Sequence, residues 1–253
     1  MKYQKLLWIG FWCTLTSCLY AAEPSAALTG ANQAYQKKDF TTAIQQYEAI
    51  LQQGYHSEAL YYNLGNSYYR TNDLGKAVLN YERALLLDPN DADTQHNLQL
   101  VQSQLQDEIE PLPTFFLTTW WNMLGGLLPA QVWSILALIF LWMGIAGLTL
   151  WLLGRVRQYK KWGFIAGISL LIISLLGFTL ANDRINQIQH SSRGVVLQKE
   201  IVLRSAPDTQ SKEVFLLHAG ATVQVLDQIG DWYKVSLRDG MQGWLPEVSF
   251  ERI

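Results

Sequence analysis

Residues 111–154 contain no Asp, Glu, Lys or Arg, and neither do residues 162–182. A helix needs about 20 apolar residues to cross a bilayer core, and each stretch is long enough. Each run is apolar on all sides, whereas a surface helix keeps a polar face. The sequence therefore predicts two transmembrane helices, at residues 131–154 and 162–182. The link between them, residues 155–161, holds Arg155, Arg157, Lys160 and Lys161. A link this short forces an antiparallel hairpin, and four cations place it in the cytoplasm by the positive-inside rule. Trp133, Trp151 and Trp162 stand near the helix ends, as an aromatic belt does. Neither span carries a buried ionisable group, so the pair makes no ion path. Gly144, Gly147 and the Gly163-x-x-x-Gly167 step allow close helix contact, within the hairpin or against another protein.

The uncharged stretches explain why only 16% of the 253 residues are charged, against about a quarter in an average soluble domain. The net charge of −2 excludes a general nucleic-acid binder, which shows a basic stripe. Residues 1–22 read as a secretory signal peptide. Lys2 and Lys5 precede an apolar stretch that ends in the small residues Ala21 and Ala22. Cleavage near Ala21 or Ala22 is the preferred reading. The alternative is lipoprotein processing at Leu15-Thr16-Ser17-Cys18, which leaves a lipidated Cys18. Cys13 and Cys18 both lie in this segment, so the mature chain has no disulfide and no cysteine metal site. With the signal exported and the hairpin turned in the cytoplasm, both flanking regions lie on the exported, periplasmic side of a bacterial inner membrane. Residues 22–128 hold five basic against twelve acidic residues, which agrees.

Between the signal and the first span the chain repeats itself at an offset of 34. Asn32 falls on Asn66, Tyr35 on Tyr69, Asp39 on Asp73, Ala43 on Ala77 and Tyr47 on Tyr81. Asn63-Leu64 falls on Asn97-Leu98. The middle unit runs Tyr61-x-x-Leu64-Gly65-x-x-Tyr68, then Ala77, Tyr81, Ala84 and Pro89. This pattern resembles the tetratricopeptide repeat, so residues 26–106 are expected to form an all-α array of helical hairpins. Gly65 and Ala77 are small where the two helices of a unit must approach. The first unit is degenerate in its opening helix, and the third has only one helix. Arrays of this kind usually need about three units, so this one is expected to lean on a neighbour, within the chain or outside it. The resemblance implies a peptide-binding concave face made of Asn32, Tyr35, Tyr62, Asn63, Asn66, Tyr69, Arg70 and Asn97. Asparagine amides pair with both groups of an extended backbone, although these residues also suit a plain solvated face. Leu28 and Asp93 stand where family members that clamp a terminal carboxylate use lysines, which disfavours that clamp.

Residues 107–130 form a linker. Pro111 and Pro113 close the helical region, and Phe115, Phe116, Trp120 and Trp121 suit the bilayer interface. Gly125, Gly126 and Pro129 argue against a third span here. Beyond the hairpin, residues 193–253 change to short β-prone runs separated by Ala206-Pro207-Asp208, Ala219-Gly220, Gly230-Asp231 and Asp239-Gly240. Leu203-Arg204-Ser205-Ala206-Pro207, Gly230-Asp231-Trp232-Tyr233-Lys234-Val235 and Gly243-Trp244-Leu245 resemble the bacterial SH3 domain. That resemblance implies a small all-β SH3-like barrel used for binding. Trp232, Tyr233 and Trp244 are candidates for its groove. Tyr233 and Trp244 equally suit the core, which is the preferred place for Trp244. His190 and His218 stand alone and are read as structural.

No Ser/His/Asp, Cys/His or paired-carboxylate arrangement is present, so catalytic, cofactor and metal sites are not expected. The order of parts resembles the BatE family of bacterial aerotolerance (Bat) operons. The resemblance implies a non-enzymatic scaffold whose partners are membrane proteins with von Willebrand A domains and a MoxR-type ATPase system. The alternative is a receptor that grips peptidoglycan or a cell-wall peptide through the barrel.

Overall fold

The computed structural model describes residues 25–253, apart from 108, 110, 111, 114 and 190. The signal-peptide region, residues 1–22, and His190 thus lie outside the described residues. Among the described residues five helices come first: α1 Ser25–Gln36, α2 Phe40–Gln52, α3 Glu58–Arg70, α4 Leu74–Leu87 and α5 Ala92–Gln102. Their boundaries repeat as the sequence does. Asp39 and Asp73 each cap the second helix of a unit, accepting from the backbone N–H of Thr42 and Lys76. Ser57 and Asp91 cap α3 and α5 in the same way. The turns also repeat, with Lys38 and Asn72 both in the left-handed region at φ 63° and 62°. Tyr47, Leu60, Leu64, Val78, Tyr81 and Val101 fill the core. Gly65 lies under the Tyr81 ring, where an added Cβ would come within 2.8 Å.

Helix α6, Phe116–Gly126, lies within the linker and precedes two helices long and apolar enough to cross a membrane. These are α7, Ala130–Leu153, and α8, Arg157–Gln189. At about 1.5 Å per residue, α7 alone reaches across a bilayer core. The cationic link is shorter than expected, because Arg157, Lys160 and Lys161 already belong to α8. The hairpin zips through its small residues. An added Cβ on Gly147 would meet Gly167 Cα at 2.9 Å, and one on Gly163 would meet Gly147 O at 2.8 Å. Ser174 donates to the Ala137 carbonyl at 2.7 Å. The glycine step is therefore consumed inside the hairpin. Ile135, Trp142, Ile172 and Leu175 face outward, exposed. Helix α6 folds back onto the hairpin: Trp121 Nε1 donates to Asp183, and Trp133 Nε1 donates to the Gly125 carbonyl.

The C-terminal region is one antiparallel sheet of seven strands in the order β3-β2-β6-β5-β4-β1-β7. The strands are β1 Arg193–Val196, β2 Glu200–Arg204, β3 Glu213–His218, β4 Thr222–Ile229, β5 Trp232–Ser236, β6 Gln242–Pro246 and β7 Phe250–Arg252. Irregularities at Leu203/Arg204 and Val225/Asp227 interrupt the register, as bends in a small curled sheet require. Val196, Leu203, Leu217, Val223, Val235 and Leu245 make the core.

The two folded modules touch. Val195 of β1 is fully buried in the core of the helical array, and Leu197 and Ile253 pack beside it. Glu82 of α4 accepts from Arg193 at 2.9 Å and Arg238 at 3.4 Å. Arg83 pairs with Glu251 at 2.7 Å and donates to the Arg252 carbonyl. His218, the histidine read as structural, meets Asp107 at 2.7 Å through its ring Nδ1, and its backbone N–H donates to the same carboxylate. The short array packs against the barrel of its own chain.

Candidate functional site

The eight residues of the array's candidate face all sit on its first helices: Asn32 and Tyr35 on α1, Asn97 on α5, the other five on α3. Asparagine pairs stitch these helices together. Asn63 Nδ2 donates to Asn32 Oδ1 at 3.4 Å, and Asn97 Nδ2 donates to Asn66 Oδ1 at 2.9 Å. Each accepting oxygen also takes a phenol from the second helix of its unit. Tyr47 donates to Asn32 at 2.6 Å and Tyr81 to Asn66 at 2.7 Å. The ladder thus has the 34-residue period of the sequence. Burial pushes the Tyr47 phenol up to about 12, with Tyr35 adding to it. Burial raises Tyr81 in the same direction. Both phenols stay protonated at neutral pH and act as donors, which turns each amide oxygen inward.

Tyr62 lies 6.3 Å from the Tyr81 ring, and its hydroxyl accepts from Asn97 at 3.3 Å. Tyr69 accepts from Gln104 at 2.9 Å. Tyr35 packs edge-on against Phe40. Seven of the eight residues are half-buried, and Arg70 is exposed. Leu28 packs against the array core. The seam is thus neither a bare solvated surface nor a loose row of side chains. Its amides are held in register before any partner arrives.

On the barrel the three aromatic residues separate. Tyr233 is buried at 7% exposure and meets Phe250 edge-on at 5.4 Å. Arg252 lies over the Tyr233 ring, 4.8 Å from its centroid. Trp232 and Trp244 are half-buried on the outer face, alternating with the core residues Tyr233, Val235, Gly243 and Leu245. The core place preferred for Trp244 is therefore not the one it takes. The inner position next to it is Gly243, where even a Cβ would come within 2.5 Å of Leu203. Trp244 stands opposite Arg204 on one side and Lys234 on the other, and Trp232 stands opposite Pro246. Sequence reasoning missed Glu82, Arg193 and Arg238 at the junction. Their only sequence signal is a glutamate on the buried face of α4, and its cations lie more than a hundred residues away.

Among the described residues no group of His, Cys, Asp and Glu is placed to hold a metal. The architecture defines a class: a helical repeat array and an SH3-like sheet joined through an apolar hairpin. The family model of the bacterial SH3 domain matches residues 199–249, and that of the tetratricopeptide repeat matches residues 58–91. No curated protein matches the chain. Both matched families are typically non-catalytic interaction modules, which points to protein or peptidoglycan partners.

Proposed function

We propose that the chain is a non-enzymatic, membrane-anchored scaffold whose array and barrel hold partner proteins at the exported face of a bacterial inner membrane. The observation that carries this reading is the asparagine ladder. Asn66 Oδ1 is occupied by two donors, so its Nδ2 is left for a partner. Asn63 and Asn97 spend Nδ2 on the ladder, which leaves their Oδ1 atoms as acceptors. Alternating donors and acceptors suit an extended peptide backbone. The docking of array on barrel supports one further step: both modules belong on the same side of the membrane. The BatE-like order of parts supports von Willebrand A-domain membrane proteins and a MoxR-type ATPase system as partners.

Co-precipitation of the full chain with a von Willebrand A-domain membrane partner in mild detergent tests the scaffold. Arg70→Ala with Asn63→Ala is expected to abolish capture without lowering the melting temperature much. Arg70 is exposed, and Asn63 supplies the longest rung of the ladder. Capture unchanged by this pair removes the concave face from the function. A second reading is favoured by the outward Trp232 and by Trp244, which stands between Arg204 and Lys234: a peptidoglycan or cell-wall peptide receptor. Sedimentation of the full chain with purified sacculi, lost on Trp244→Ala, is the outcome that selects it.

A further inference from the structure

Where α8 passes the end of its apolar run, it meets the array, α6 and the barrel around a cleft of about 760 Å³. Arg184, Arg193, Arg238 and Glu82 supply the charges of its lining, and Ser191, Ser192 and Asn122 are among its polar groups. Arg184 is held by the α4 terminus, donating to the Leu86 carbonyl at 2.6 Å and the Leu87 carbonyl at 3.4 Å. Asp88 and Asp183 lie close enough to act on it. Arg193 and Arg238 have less. They share the one carboxylate of Glu82, whose side chain is only 6% exposed, while their own are 44% and 40% exposed. Two guanidiniums on one buried carboxylate leave a positive charge facing the cleft.

The depth of the cleft decides what can answer that charge. Arg184 stands three residues beyond Ala181, about 4.5 Å along the helix axis. A headgroup layer is about 5–7 Å thick on each side of the hydrocarbon. Helix α6, which contributes Asn122 and donates from Trp121 to Asp183 beside Arg184, exposes Phe116, Trp120 and Met123. A cationic, polar cleft at headgroup depth matches the phosphate of a lipid. Guanidiniums also grip phosphate in a fork that a single carboxylate does not saturate.

We propose that this cleft binds the phosphate headgroup of an anionic phospholipid through Arg193 and Arg238, with Arg184 as the fixed wall. The proposal rests on reading α7 and α8 as membrane spans. The test is native mass spectrometry of the full chain in mild detergent, titrated with phosphatidylglycerol or phosphatidylcholine. Phosphatidylglycerol is expected to bind more tightly. Arg193→Gln and Arg238→Gln are each expected to weaken it about fivefold to tenfold. Arg155→Gln, in the basic link at the other end of the hairpin, is expected to leave this binding unchanged. Equal retention of both lipids overturns the proposal, as does loss confined to Arg155→Gln. Binding of inorganic phosphate without phosphatidylglycerol overturns the lipid source. Alkaline carbonate extraction separates the two failures. A chain released from membranes overturns the spans and the proposal together, whereas a retained chain that ignores phosphatidylglycerol overturns the cleft alone.

Discussion

At the scale of single residues, the buried tyrosines of the array make its stability depend on alkaline pH. Tyr47 is pushed from an ordinary 10.0 up to about 12 by burial, and Tyr68 and Tyr81 move the same way. Because the folded values exceed the unfolded ones, the stabilisation is complete below pH 10 and fades as pH rises through about 12. Helical circular dichroism is expected to fall in that window, together with the appearance of tyrosinate absorbance. Ionisation of all phenols near pH 10 with helices intact contradicts the burial. Tyr81→Phe removes a donor to Asn66 at a cost of about 1 kcal/mol at neutral pH, and it also removes one source of the alkaline loss. The asparagines were legible as pairs at a fixed offset. Their role was not, because the phenols that orient Asn32 and Asn66 lie fifteen residues on, in another helix. Trp244 was misplaced for a related reason. Hydrophobicity draws tryptophan toward a core, but strand parity and the tight contact of Gly243 with Leu203 turn it out.

At the scale of elements, the uncharged runs made α7 and α8 the most legible parts of the chain. What the sequence left open was the partner of their glycines. Backbone packs on backbone there: an added Cβ on Gly167 would lie 2.9 Å from Leu148 N. A backbone atom cannot rotate away, so Gly167→Leu is expected to cost about 1–3 kcal/mol by overpacking. Thermal unfolding in detergent measures it, with outward-facing Ile172→Leu as the unaffected control. A melting temperature unchanged by Gly167→Leu separates the two helices. The least legible element was β7. It is a three-residue strand after a short 3₁₀ turn, and Phe250 pairs with Val196 far back in the chain. No local alternation marks a strand that short; the pairing across the sheet makes it one.

At the scale of the whole molecule, the barrel packs against the short array. Nothing local in the sequence announces this, because Arg83 and Glu251 stand 168 residues apart. Gly75, near the start of α4, lies against the barrel at this contact. An added Cβ there would sit 3.2 Å from Ala219 Cβ and 3.4 Å from the Val196 carbonyl. Glycine in a helix is worse than leucine by up to about 1 kcal/mol, so in an array standing alone Gly75→Leu is stabilising. With the barrel docked, the larger side chain is a wedge between the modules. The expected result is the reverse of the helix effect: a lower melting temperature. In calorimetry, one shared transition of array and barrel splits into two. A variant that melts higher, in a single transition, shows that the array stands without the barrel.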